Sequence, residues 1–161
     1  MMDIVSEGFW IFFWSMVPWW EARYTIPLIA MELFKWEWWQ ALPVALVGNM
    51  LPVPCILLFF KFGEKFLRNY RFWTRILDWL FVHTRRRADA KIKRYEHLAL
   101  IVFVAIPLPF TGAWTGSLIA YLFDLKFFRS LVTIFIGVII SVVITTLLYL
   151  YLPEVLQWLK L

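Results

Sequence analysis

The sequence lacks most of what a soluble enzyme is built from. One cysteine and two histidines among 161 residues allow no intrachain disulfide and no cysteine metal cluster. Charged residues make up only 17% of the chain, against about a quarter of an ordinary soluble domain. Lys and Arg are missing from the first 22 positions, where Asp3, Glu7 and Glu21 carry all the charge. That stretch has no basic n-region of a cleavable signal peptide and is expected to be mature sequence. No phosphate loop, Ser/His/Asp set or metal-ligand spacing occurs, so no covalent catalysis, metal or cofactor is expected, and the chain is not expected to be an enzyme. What is present in excess is apolar surface: 63% of the residues are hydrophobic and 20% aromatic. A soluble domain is about half apolar, so the expected solvent of this chain is lipid.

Three uncharged runs, Trp38 to Phe60, Leu98 to Phe123 and Ser130 to Pro153, reach the roughly 20 helical residues that a hydrocarbon core requires. Eleven of the sixteen basic residues fall in 61–97 against four acids, whereas the first sixty residues hold Arg23 and Lys35 against five acids. The positive-inside rule places the central segment in the cytoplasm of a multi-pass protein of the plasma membrane. Topology explains Arg85, Arg86 and Arg87 without nucleic acid. Within that segment Glu64, Arg68, Arg71, Arg75 and Asp78 oppose Phe66, Tyr70, Trp73, Leu77 and Leu80 at helical spacing, which predicts an amphipathic helix lying in the headgroup region. Cys55, inside an apolar run, reads as a small buried residue. A chain this short is too small to enclose a substrate path alone, so a homodimer is expected.

The chain reads as two interrupted halves. An apolar stretch over 8–34 is broken between Pro18 and Pro27, and one over 98–124 is broken between Pro107 and Gly116. Proline removes a helical hydrogen bond and clashes with the preceding turn, so each break opens the backbone. Backbone opened at membrane depth survives only where protein or a water-filled cavity covers it. Each break is followed by an uninterrupted span, 38–60 and then 130–153. Pro27 to Ala30 lines up with Ser117 to Ala120 ninety positions on, and Gly48 falls within one position of matching Gly137. The expected fold is therefore all-α and membrane-integral: an inverted repeat of a re-entrant helical hairpin plus a transmembrane helix, 1–60 and 98–161, joined by the cytoplasmic linker 61–97. The rival reading makes 98–123 one kinked full span.

Chemistry concentrates at the breaks. Glu21 and Arg23 lie in the first, and an ionisable group inside a membrane is a functional candidate by default. They read as a proton-titrating carboxylate and a guanidinium able to fork onto an anion. The bland reading takes them as solvated interfacial charges beside Trp19 and Trp20. The second break offers Pro107, Pro109, Thr111, Gly112, Trp114, Thr115 and Gly116, with a half-helix starting near Gly112 whose free amides suit an anion. Gly112, Gly116 and Ala120 also form a small-residue stripe that close helix packing would explain. Pro27 closes the first break. Asn49 is polar inside a span, and His97 stands at the mouth of the second hairpin.

The motifs Glu21-Ala-Arg23-Tyr-Thr-Ile-Pro27 and Pro107-Leu-Pro109-Phe-Thr111-Gly112-Ala-Trp114-Thr-Gly116 resemble those of the small multidrug export protein family, a relative of the DedA and SNARE-associated Golgi protein superfamily. The resemblance implies two re-entrant hairpins and a transport role. In the DedA relatives acidic and arginine residues near the hairpins are needed, and lipid phosphates are moved with dependence on the proton gradient. Glu21 matches the acidic position of the first motif, while the arginines of the second DedA motif have no counterpart in 111–116. The first expectation is a transporter or flippase for an anionic amphiphile such as a lipid phosphate, with protons as coupling ion. A proton-coupled exporter of small amphipathic cations and a non-transporting membrane scaffold are the alternatives.

Overall fold

A computed structural model describes residues 3–67, 90–108 and 111–158. The expected amphipathic helix, His83, the arginine run and Pro109 lie outside the described residues, except for the helical backbone that reaches Leu67. All regular structure among the described residues is helical, with no strand. In chain order come α1 (Ile4–Met16), α2 (Glu21–Tyr24), a π-helix (Thr25–Leu33), α3 (Trp38–Met50), α4 (Pro52–Leu67), α5 (Ala90–Ala105), α6 (Ala113–Leu122) and α7 (Phe127–Trp158). Among the described residues two stretches are long and apolar enough to cross a membrane: Trp38–Phe60 and Phe127–Leu152, whose 18-residue apolar windows have mean hydropathy 2.0 and 2.8.

The prolines end helices where their chemistry says they should. Val17, ahead of Pro18, is extended at φ −70° and ψ 129°, as a residue before proline prefers. The amides of Trp20 and Glu21 then both bond to the Val17 carbonyl, closing a turn between α1 and α2. α5 stops at Ala105, two residues before Pro107. At 13, 16 and 10 residues, α1, α5 and α6 are roughly 20, 24 and 15 Å long, short of a ~30 Å core. In both halves the chain doubles back. The Trp36 indole donates to the Glu7 carboxylate at 2.8 Å, tying the end of the π-helix to the start of α1. The second pair, α5 and α6, pack on each other, and Tyr95, Glu96, Phe123 and Leu125 line a groove between them.

Both doubled-back arms end in the same way. Lys35 and Asp124 each adopt φ 59°, and the following amides reach back to Ala30 (2.8 Å, from Trp36) and Ala120 (3.0 Å, from Leu125). A left-handed residue just past a helix is a standard way to satisfy its last carbonyls, usually with glycine. The two alanines are ninety positions apart, but Lys35 and Asp124 are eighty-nine. The π-helix accounts for the difference, because winding i to i+5 takes in one residue more than an α-turn. The one-position slip between Gly48 and Gly137 has the same origin. Those glycines also do the same work. A Cβ on Gly48 would strike the Phe12 carbonyl of α1, and one on Gly137 would lie 2.7 Å from the Val104 Cβ of α5, so each lets a hairpin arm lie against its span.

Three local features go beyond the pattern of apolar runs, and one of them, the exposure of Cys55, corrects its expected burial. The first span is bent: α3 ends at Met50 and a new helix starts at Pro52, with Leu51 between them. Pro52 cannot donate to the carbonyl of Gly48, and the first turn of a helix is where a missing amide costs least. Cys55 is exposed on the protein surface. In lipid the outward face is as apolar as the core, so hydropathy does not report burial, and Phe59 and Phe128 are exposed in the same way. Finally, α5 begins at Ala90, because Lys91, Lys93 and Arg94 extend it into the basic segment as good helix formers do.

Candidate functional site

The start of α2 and the segment that opens α6 meet at a pair of buried charges. Glu21 and Arg23 are each 2% exposed, with Nη2 of Arg23 3.5 Å from Oε2 of Glu21. This burial excludes the reading of solvated interfacial charges. Two residues apart on one turn of α2, they would diverge if Glu21 were regular. It is instead left-handed, at φ 49°, a conformation that costs a non-glycine residue about 1–3 kcal/mol. The strain positions the carboxylate at the start of α6, where the amides of Ala113 and Trp114 donate to it. Gly112 makes room, since any Cβ there would occupy the space of the Glu21 carboxylate. The half-helix expected near Gly112 thus begins at Ala113, and the anion that it meets is the chain's own glutamate.

Arg23 reaches across from the first half to the second. Its Nη1 donates to the Thr111 carbonyl oxygen and lies 3.2 Å from Thr111 Oγ1. Thr111 Oγ1 in turn bonds the Ile106 carbonyl at 2.6 Å, which keeps the loop after α5 compact. Two further bonds cross the same junction. The Tyr24 hydroxyl donates to the Pro107 carbonyl at 3.2 Å, and the Trp114 indole donates to the Met16 carbonyl at 3.1 Å. Each half supplies carbonyls exposed by its own break and donors that satisfy the other's, so the backbone opened by proline is covered by protein. Removing one member of a buried ion pair costs about 3–5 kcal/mol, because the other charge is left uncompensated.

The remaining candidates divide by role. Glu21, Arg23, Pro107, Thr111, Gly112 and Trp114 converge on this junction. Thr115 accepts from the Gly112 amide at 3.0 Å and so shapes the start of α6. A Cβ on Gly116 would fall 2.7 Å from Val104 Cγ2, which makes its role the close packing of α6 on α5. Pro27 is buried inside the π-helix, away from the junction contacts. Asn49 is buried, and its Oδ1 has no hydrogen-bond partner. His97 Nδ1 lies 3.2 Å from Thr133 Oγ1 and joins α5 to α7. Tyr24 is not among the residues that the sequence singles out, although it clasps the opposite break. Its place next to Arg23 in the first motif was the available signal.

A family model described as Putative small multi-drug export protein matches residues 21–144. The match opens at Glu21, inside the first break, and takes in the whole second break and every residue of the junction except Met16. Searches of curated proteins and of solved structures find no match.

Proposed function

Because the chain belongs to the small multi-drug export protein family, we propose that it is a proton-coupled transporter or flippase that carries an anionic, lipid-phosphate-like amphiphile across the plasma membrane. One observation carries this reading: the Glu21 carboxylate occupies a built anion site, held by Arg23 and by the α6 amides of Ala113 and Trp114. A phosphate or carboxylate headgroup calls for the same donors. Protonating Glu21 removes its claim on them and frees the site for the headgroup. Deprotonation returns the glutamate and expels the headgroup, so proton and substrate move together.

In this reading both hairpins are re-entrant, the halves are inverted by duplication, and the breaks meet near the midplane, as in transporters built from inverted repeats. The repeated helix closures at Lys35 and Asp124 and the matching roles of Gly48 and Gly137 support the duplication. The basic segment 61–97 lies in the cytoplasm, and a homodimer encloses the path.

A second reading, export of amphipathic cations, is favoured by a different place. Glu21 is closed to a cation by Arg23, but Glu7 stands at one end of a groove walled by Trp10, Trp14, Trp20 and Phe34. Aromatic faces beside a carboxylate suit an organic cation.

Purified protein in liposomes separates the two. Gradient-driven uptake of polyprenyl phosphate, lost in Glu21→Gln and weakened about tenfold in affinity by Arg23→Lys, a step of about 1.4 kcal/mol, is the expected result. Uptake of tetraphenylphosphonium that depends on Glu7 would install the second reading. Unchanged transport in both Glu21→Gln and Arg23→Ala would remove the junction from the mechanism, and transport of nothing would favour a scaffold.

A further inference from the structure

Hydroxyls in membrane helices normally satisfy themselves on the carbonyl four residues back. Ser15, Ser117, Ser130, Thr133 and Thr145 all do so, at 2.6 to 3.1 Å. Thr25, Ser141 and Thr146 do not. Their oxygens, together with Asn49 Oδ1 and Arg23 Nε, are buried side-chain atoms without a hydrogen-bond partner among the described residues. The five residues are at most 5% exposed. They come from α2, the π-helix, α3 and α7, four elements that pack on one another.

The register of these elements orders Thr25, Ser141 and Thr146 by height between the junction and the surface. Tyr149 of α7 bonds Glu32 near the exposed end of the π-helix. Thr25 opens that helix seven residues before Glu32 and two after Arg23. Ser141 precedes Tyr149 by eight residues, roughly 12 Å along α7, and Thr146 falls between them. A polar atom sealed in an apolar interior is costly unless water bonds it, and a buried water typically makes about three such bonds.

We propose that Thr25, Asn49, Ser141 and Thr146 line a narrow water file between the π-helix and α7, running from Arg23 to the Glu32–Tyr149 pair at the surface. Its ligand is water, and its role is to give the Glu21–Arg23 junction proton access from the side on which the first hairpin opens. The role in proton delivery rests on the transport reading above, but the existence of the file does not.

The test uses single cysteines at 25, 141 and 146 in the full chain carrying Cys55→Ala, reconstituted in liposomes and exposed to silver ion. Silver travels in water and blocks thiols, so reaction is read as lost maleimide labelling after denaturation. Val142→Cys, buried on the same helix, is the dry control. Reaction at least tenfold faster at 141 and 146 than at 142 is expected. Equal rates at all four positions overturn the file, whatever the protein transports. The conservative pair Ser141→Ala and Thr146→Val keeps packing and removes the oxygens. It should slow gradient-driven uptake severalfold while leaving substrate affinity unchanged, and an unchanged rate would overturn the delivery role. Failure of the Glu21 and Arg23 variants to affect transport, with silver still reaching 141 and 146, would sink the transport reading and leave the file in place.

Discussion

At the scale of single residues, the junction is a case of one side chain occupying the space that a glycine leaves. Gly112 is extended, a backbone shape open to any residue, so the reason for glycine there is room. A Cβ would sit on the Glu21 carboxylate. Gly112→Ala should therefore destabilise the protein by about 1–3 kcal/mol, the usual cost of overpacking, read as a lower thermal midpoint of the purified protein. In a Glu21→Ala background, itself destabilised by an unpaired Arg23, the same change should cost far less. A double-mutant cycle isolates that coupling. Additive effects would show that the carboxylate does not depend on the space at Gly112. The identities of Glu21, Arg23 and Thr111 were legible in the sequence as unusual residues beside prolines. Their partnership was not, because Arg23 and Thr111 are 88 positions apart and no local periodicity encodes such a contact. The hydroxyls of Ser141 and Thr146 were hidden for another reason: within an apolar span, a serine that bonds its own backbone and one that faces water have the same sequence signature.

At the scale of elements, the breaks could be read ahead because proline acts locally, at Pro18 and Pro107. The π-helix could not, since its i to i+5 bonding carries no residue signature; it left only a one-position slip between the halves. The bend at Leu51 was foreshadowed by Pro52 and Pro54 but outweighed by the unbroken hydropathy around them. Helix contacts in lipid depend on close approach more than on apolar burial, which gives the glycines a rank order. At Gly48 the obstacle to a Cβ is the backbone carbonyl of Phe12, which cannot rotate away. At Gly137 it is chiefly the side chain of Val104, and at Gly8 only the Trp36 ring edge, at an ordinary 3.7 Å. Gly48→Ala should lower the thermal midpoint most and Gly137→Ala less. Gly8→Ala should raise stability by about 0.5–1 kcal/mol, as replacing an unconstrained helical glycine does. A reversed order of Gly48 and Gly8 would show that α1 does not rest on α3 as described.

For the whole molecule, the decisive quantity is the number of membrane crossings. Among the described residues two stretches are long enough to cross, and α1, the π-helix, α5 and α6 are each too short alone. The chain after the π-helix returns to the start of α1 through Trp36 and Glu7, and α6 packs back on α5. A hairpin that returns to the side from which it entered adds no crossing. In the proposed arrangement the two spans put residues 2 and 161 on one side and the basic segment on the other. The eleven basic residues between Lys61 and His97 favour the cytoplasm for that segment, so the proposal expects both ends to face outward. If α5 and α6 were instead one kinked span, there would be three crossings and the ends would be separated. Cysteines introduced at Met2, Arg86 and Leu161 in the Cys55→Ala chain, labelled in intact cells with a membrane-impermeant maleimide, distinguish these cases. Labelling at 2 and 161, with 86 protected until the membrane is opened, is the expected pattern. Labelling at 2 with 161 protected would break the inverted relation of the halves, and with it the meeting of two oppositely entering hairpins on which the proposed alternating access depends.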